Sequence, residues 1–410
     1  MKYYYYVPNH RIPTTHAMGS CFWDISICTI PYSEQYTISI SIPSGHQQCL
    51  KDRTWWRTQQ KKPQSLISAI EPESHARIRK LLAPGFTPRA LRAQEPILQR
   101  YVSLLVERLR EHISETANSK GTEINILPWI NFTTFDIFAD LGFGESFDCL
   151  QSSRYHPWIA LLFNSVKAAS FIAAARFYPL VDFLLIKCIP LSLKKMQQAY
   201  FQQIADKVER RLNYDKGGGL SVGEINATFI ILTSAGSETT ATALAGTMNC
   251  LVQNPDKLRI LETEIRARFR DETEITLDAL HNLPYPNAAL NEGLRLCPPV
   301  AWILPRRMPV GGDTVCDFWL PGDTRVSIQE YVTNHDPTYF HDTSAFRPER
   351  WLPEASADPK SPFFADQLDA VQPCSVGSRS CTGQHIANFL LVEKKPIEVR
   401  MRLREGVSEQ

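Results

Sequence analysis

The chain has 410 residues, 43% of them hydrophobic, with 44 Lys and Arg against 43 Asp and Glu for a net charge of +1. That length holds one large domain with a sizeable core, and the balanced charge gives no reason to expect nucleic acid as a partner. The ten cysteines include no C-x-x-C pair and no framework spacing, which argues against a zinc knuckle or a secreted disulfide scaffold.

Residues 1–54 read as an irregular segment of mixed polar, aromatic and Pro/Ser composition, with no clear membrane anchor and no apolar core of signal length. From Ser74 the pattern turns helical, and "SHARIRKLLAPGF" sets His75 and Arg79 four apart on one face. "QEPILQRYVSLLVERLREHI" follows with apolar residues at helical spacing. "INILPWINFTTFDIFADLGFG" reads as a buried helix ending near Gly142. The stretch from Ala160 to Pro190 is very apolar, but Lys167, Arg176, Pro179 and Asp182 interrupt it. It reads as a pair of packed helices joined near Pro179, with a surface that dips into a bilayer left open. "SLKKMQQAYFQQIADKVERRLNY" is amphipathic and stops at the break from Lys216 to Gly219.

The longest helical signal runs from Ser221 to Pro255. It is apolar nearly all round, so it should be buried on most sides, and at its length it would span on the order of 45 Å or more. Inside it lies "AGSETT", Ala235 to Thr240. Gly236 costs roughly 1 kcal/mol against Ala in a helix interior, and Glu238 and Thr239 bring an acid and an alcohol into a buried segment. Two readings stand side by side. The helix opens there and offers a proton path, or the hydroxyl bonds back to the carbonyl four residues earlier.

"NEGLRLCPP" then places Glu292 and Arg295 at i, i+3, and "FRPERWLP" adds Arg350. Two arginines on one glutamate could lock a helix against a loop. Strand-like pieces, "TVCDFWL" and "TRVSIQEY", come late, so the fold class is mostly α (α+β) in one domain. Last comes "PCSVGSRSCTGQHIA", with Cys381 between Gly377 and Gly383 and two residues after Arg379. Cys374 is its only near neighbour for a disulfide. The other options are an inert thiol, a nucleophile or a single axial ligand to a metal.

Taken together these pieces resemble the cytochrome P450 family. The haem-thiolate signature F-x-x-G-x-R-x-C-x-G is matched at Gly377, Arg379, Cys381 and Gly383, with Cys374 in the place of phenylalanine. The oxygen-activation motif A/G-G-x-D/E-T-T/S is matched at Ala235, Gly236, Glu238, Thr239 and Thr240. E-x-x-R is matched at Glu292 and Arg295, and the following arginine motif at Arg350. The stretches "HARIRKLLAPGF", "NFTTFDIFADLGFGESF" and "YPNAALNEGLRLCPPV" are similar to fungal monooxygenases of mycotoxin and other secondary-metabolite pathways.

The resemblance implies a haem domain over residues 55–392, with a long central helix over haem b, and a divergent, truncated C-terminus over 393–410. It implies Cys381 as the axial ligand of the haem iron, with Gly377 and Gly383 letting the backbone come close. Arg379, Arg79 and Arg306 would meet the propionates, with His75 a further candidate and Arg307 competing with Arg306. Gly236 would lie against the cofactor, and Thr239 with Glu238 would deliver protons to dioxygen. Glu292, Arg295 and Arg350 would be structural. Candidate pocket residues are Phe229, Leu232, Ala235, Ala301, Trp302 and Ile303. Implied partners are O2, a small apolar substrate (a terpenoid, polyketide or alkaloid intermediate) and an NADPH-dependent flavoprotein reductase, at the cytosolic face of the endoplasmic reticulum. Two alternatives stay open: a truncated, inactive haem-binding homologue, and a haem-thiolate isomerase or dehydratase that needs no reductase.

Overall fold

The structure, a computed structural model, describes residues 49–56, 63–116, 122–157, 159, 172–188, 190, 195, 198, 202, 205–210, 219–301, 304–315, 318–384 and 399–401. It is mostly helical, with three small antiparallel sheets among the described residues. Helix α1 (Pro72–Leu82) starts with proline in its first turn, where the missing N–H has no helical partner to lose, and ends on Arg79 and Lys80, which suit the negative end of the helix dipole. Helix α2 (Pro88–Thr116) and helix α3 (Leu127–Phe143) follow. Only part of the apolar stretch after Ala160 lies within the described residues, where helix α4 covers Pro179–Cys188.

Helix α5 (Val222–Gln253) is the long central element. Its start is set by a capping box, in which the Ser221 hydroxyl takes the Glu224 N–H and the Glu224 carboxylate takes the Ser221 N–H. Asn254 closes it, and Pro255 opens helix α6 (Pro255–Arg268). Helix α3 is apolar on almost every side because it lies between α2 and α5, and its buried residues run from Trp129 to Phe143. It presses on α5 at Gly236, where a Cβ would sit 2.5 Å from the Phe138 ring. Gly236 thus has a packing reason of its own. Helix α7 (Pro284–Leu296) packs on the other side of α5.

Strands β1 (Leu50–Lys51), β3 (Arg306–Arg307) and β6 (Arg325–Val326) form one sheet in the order β1-β3-β6. Lys51 lies opposite Arg306, and Leu50 opposite Arg307. Strand β2 (Thr122–Ile124) pairs with β7 (Val399–Met401), and β4 (Asp313–Val315) pairs with β5 (Phe318–Leu320). The strand expected over "TRVSIQEY" is only Arg325–Val326, since helix has begun by Glu330. Leu50–Lys51, expected to be irregular, is paired sheet. Most of 1–54 and of 393–410 lies outside the described residues. No helix among the described residues is long and apolar enough to cross a membrane.

Candidate active site

A cavity of about 860 Å³ separates α5 from the turn that carries Cys381. That is toward the upper end of ligand pockets, which run roughly 300–1,000 Å³. One wall is apolar and comes from α3 and α5, including Phe138, Leu141, Phe229, Leu232, Ala235 and Ala243. Thr239 and Thr240 add two hydroxyls to it. The opposite wall carries Cys374, Val376, Cys381 and Gly383. The rim is cationic, formed by Lys51, Arg79, Arg306 and Arg379 around the imidazole of His75.

The turn that presents Cys381 is shaped by its backbone. Ser375 and Gly377 both have left-handed φ, 53° and 82°, and at Gly377 the lack of a Cβ makes that conformation cheap. The Cys381 N–H donates to the Cys374 carbonyl at 2.8 Å, closing the turn. Arg379 anchors it by donating to the carbonyls of Ala69 at 2.8 Å and Ile70 at 2.5 Å. Arg79 reaches across from α1 to the Ser380 carbonyl at 2.6 Å and hydroxyl at 3.2 Å. The Cys374 thiol and the Gly383 N–H lie beside the Cys381 sulfur. Both favour the Cys381 thiolate, and the Arg79 charge adds to them. A Cβ on Gly383 would meet only this sulfur, at 4.0 Å.

The rim holds more positive charge than the protein answers. Burial pushes the Lys51 ammonium down to about 7, helped by Arg379 and Arg306. Burial pushes Arg306 down to about 10, again helped by Arg379. His75 falls to about 4 through burial and then the charges of Arg379, Lys51, Arg79 and Arg306. Arg306 has no ion-pair or hydrogen-bond partner among the described residues. Among the described residues Lys51 donates only to the Ile67 carbonyl, and it lies 4.8 Å from the Trp56 ring centre. Glu71 is the carboxylate that raises Arg379, but it is exposed and paired with Arg53 at 2.9 Å. Converging, desolvated cations of this kind fit a ligand with at least two anionic groups. With a thiolate across the cavity and an apolar face above it, the residues present fit a haem with its two propionates.

Strand geometry separates Arg306 from Arg307. Neighbouring strand residues face opposite sides. Arg306 therefore faces the cavity, while Arg307 turns to Asp52 at 2.7 Å and to Asp323. The fully buried Asp52 also takes Arg325 at 2.8 Å.

On α5 the helix is continuous through Gly236. The Thr239 hydroxyl donates to the Ala235 carbonyl at 2.5 Å, so the local opening does not occur and the back-bonded reading describes this helix. Glu238 does not line the cavity. Its charge acts instead on the phenol of Tyr155, which burial and then Glu238 push up. Phe229 lines the cavity and also packs on Phe143, with ring centres 5.9 Å apart. Ala301 is exposed and lies outside the lining, where Pro299, Val300 and Leu304 stand instead. Trp302 and Ile303 lie outside the described residues.

Sequence reasoning missed Lys51, and it matched Thr240 to the oxygen-activation motif without giving it a role. Lys51 sits in a segment with no helical or strand signal, and only its pairing with Arg306 brings it to the rim. The Thr240 hydroxyl is buried in the cavity wall without a hydrogen-bond partner.

Away from the cavity, Glu292, Arg295 and Arg350 form a buried cluster. The Glu292 carboxylate accepts from Arg295 Nε at 2.9 Å and Nη2 at 2.8 Å, and from Arg350 Nε at 3.1 Å. It also accepts from the Arg347 N–H at 3.0 Å and Trp351 Nε1 at 2.9 Å. Arg295 donates to the carbonyls of Asn334 and Thr343, both at 2.7 Å. Arg350 adds Asp366 and the His341 carbonyl.

Residues 46–391 match the family model described as Cytochrome P450. The chain is 38% identical over 369 residues to "Cytochrome P450 monooxygenase lcsI" of Purpureocillium lilacinum, covering 86% of this chain and 69% of that protein. It is 39% identical over 337 residues to the averantin hydroxylase of Dothistroma septosporum, covering 78% and 62%. It is 36% identical over 332 residues to the trichothecene C-4 hydroxylase of Trichoderma arundinaceum, covering 76% and 66%. The chain thus spans about two thirds of the length of these relatives.

Proposed function

The chain belongs to the cytochrome P450 family and is an oxygen-incorporating oxidoreductase of the kind found in fungal secondary metabolism, and from that premise we propose that it hydroxylates a small apolar metabolite of terpenoid, polyketide or alkaloid type, using electrons from an NADPH-dependent flavoprotein reductase. The observation that carries this reading is the single cavity wall-to-wall arrangement of the Cys381 sulfur, the unanswered cationic rim and the apolar α5 face. The relatives named as hydroxylases support the reaction type.

Cys381 would hold the haem iron, and Arg79, Arg306 and Arg379, joined by Lys51 and His75, would hold the propionates. When bound, the haem supplies dioxygen activation and oxygen-atom transfer. The chain's own residues set the conditions. Cys374 and the Gly383 N–H favour the Cys381 thiolate and moderate its charge. Phe229, Leu232 and Ala235 give an apolar substrate a surface that excludes water. Thr239 holds a proton at the cavity face. Its own hydrogen goes to the Ala235 carbonyl, so its lone pairs accept from a water, and rotation of the hydroxyl passes a proton inward. Glu238, off the wall, refills that site through water.

Residues 55–392 act as the haem domain. The exposed side chains of Leu180, Phe183 and Leu184 on α4, 73%, 54% and 53% accessible, support a peripheral contact with the endoplasmic reticulum membrane. The decisive test combines two measurements on haem-reconstituted protein. The reduced carbon monoxide complex should show the red-shifted band of thiolate ligation, and Cys381→Ala should lose it. With reductase and substrate, NADPH oxidation should consume dioxygen and yield hydroxylated product. A band that survives Cys381→Ala, or NADPH oxidation that never yields product, refutes the reading.

A further inference from the structure

We propose that Cys374 and Cys381 form a reversible disulfide that withholds the haem ligand whenever the cavity lacks haem. The inference rests on the reading of Cys381 as that ligand. It starts from the departure in the signature, where Cys374 stands in the place of phenylalanine. An aromatic ring there could only pack beside the sulfur, whereas a second thiol can react with it.

The two cysteines stand at the two ends of one turn and line the same cavity. The Cys381 N–H to Cys374 carbonyl bond joins the two ends of the turn. That single 2.8 Å backbone bond holds the two residues near enough for the Cα separation of roughly 4.4–6.8 Å that a disulfide spans. The two thiols lie close enough to act on each other's ionisation, Cys374 favouring the Cys381 thiolate. Both line the cavity, and Cys381 is exposed to it. The turn is pre-folded by Ser375, Gly377 and the Arg379 anchors, so closing the ring orders little additional backbone.

The oxidant class is a peroxide. The Cys381 thiolate attacks hydrogen peroxide, the O–O bond breaks, and a sulfenic acid forms with release of one water after protonation. The Cys374 sulfur then attacks the sulfenic sulfur, the S–S bond forms, and the second water leaves. In total two thiols give up two hydrogens and two electrons, and one peroxide becomes two waters. A dithiol reductant reverses the change. Haem and the disulfide compete for one sulfur, so the loaded protein is protected and the unloaded one is stored without over-oxidation of its ligand.

The test uses the full chain, purified without haem and reduced. It is treated with a small excess of hydrogen peroxide, alkylated and mapped by mass spectrometry, and a parallel sample is titrated with haem. The expected result is a cross-link between Cys374 and Cys381 with loss of two hydrogens. Apparent haem affinity should fall by roughly tenfold or more, and dithiol should restore it. Cys374→Ser and Cys374→Phe should show no cross-link and lose the dithiol-reversible effect. A Cys381 sulfinic acid without cross-link in the wild type, or a cross-linked chain that takes haem like the reduced one, overturns the proposal. If reduced wild type and Cys374→Phe both fail to ligate haem through sulfur, the ligand reading itself falls, and the switch falls with it.

Discussion

Two charged regions of this molecule are built to opposite rules. Around Glu292 the protein answers every charge it buries. One carboxylate receives Arg295, Arg350, a backbone N–H and an indole N–H, and the remaining guanidinium donors go to carbonyls and Asp366. Around His75 it gathers the cations Lys51, Arg79, Arg306 and Arg379 and supplies almost no anion. The first arrangement holds a helix to a loop. The second is unfavourable as protein alone and becomes favourable when an anionic ligand enters, so an unbalanced buried charge points to a ligand where a balanced one points to architecture.

The sharpest way to break this comparison is at its balanced end. Glu292→Ala strands Arg295 and leaves Arg350 with Asp366 as its one carboxylate, both arginines at 0% side-chain exposure, and should cost roughly 3–5 kcal/mol. Aggregated or haem-free protein is expected. A soluble variant that melts within a few degrees of wild type would show that the cluster carries no architecture.

At the unbalanced end the sign reverses. Arg306→Met removes a desolvated charge with no partner, so the haem-free protein should gain on the order of 1 kcal/mol. Haem affinity should fall by about tenfold, the equivalent of about 1.4 kcal/mol. Haem titration and chemical denaturation of the same samples measure both. Loss of stability together with unchanged affinity would place Arg306 in the architecture instead.

The pH dependence of the haem-free protein should report the same imbalance. A base whose folded pKa lies below its unfolded value binds its proton more readily when unfolded, so stability rises with pH through that window. His75 moves from 6.5 to about 4, and acidification across that interval should destabilise the protein. Lys51 moves from 10.5 to about 7, so stability should climb from neutral pH toward alkaline. Haem should flatten both slopes by giving the cations an anion. Melting temperatures across pH with and without haem test this, and equal slopes would refute it.

Thr239→Ala should give the smallest change in stability, because the hydroxyl bonds only within its own helix. Its effect should fall on coupling. NADPH oxidation should persist while product falls and peroxide rises. An unchanged ratio of peroxide to NADPH would leave Thr239 with a local role only.

Much of this contrast is legible in sequence, because the features are local. Cys381 with its glycines and arginine, the E-x-x-R pair and the alcohol at Thr239 are set by spacing along one turn or one helix face, where 3.6-residue geometry leaves few alternatives. The extent of α5 follows from its apolar run, its capping serine and the closing Asn-Pro. Other features depend on contacts that no local window contains. Lys51 reaches the rim because β1 pairs with β3, more than 250 residues later. Arg306 rather than Arg307 faces the cavity because strand alternation sends adjacent side chains to opposite sides and Asp52 captures one of them. That Glu238 lies off the wall is set by how α5 rotates against α3. The chemistry of the ligand turn was therefore determined by the sequence itself. The charge imbalance around it was decided by tertiary structure, since whether a buried charge is answered depends on which distant strand arrives beside it.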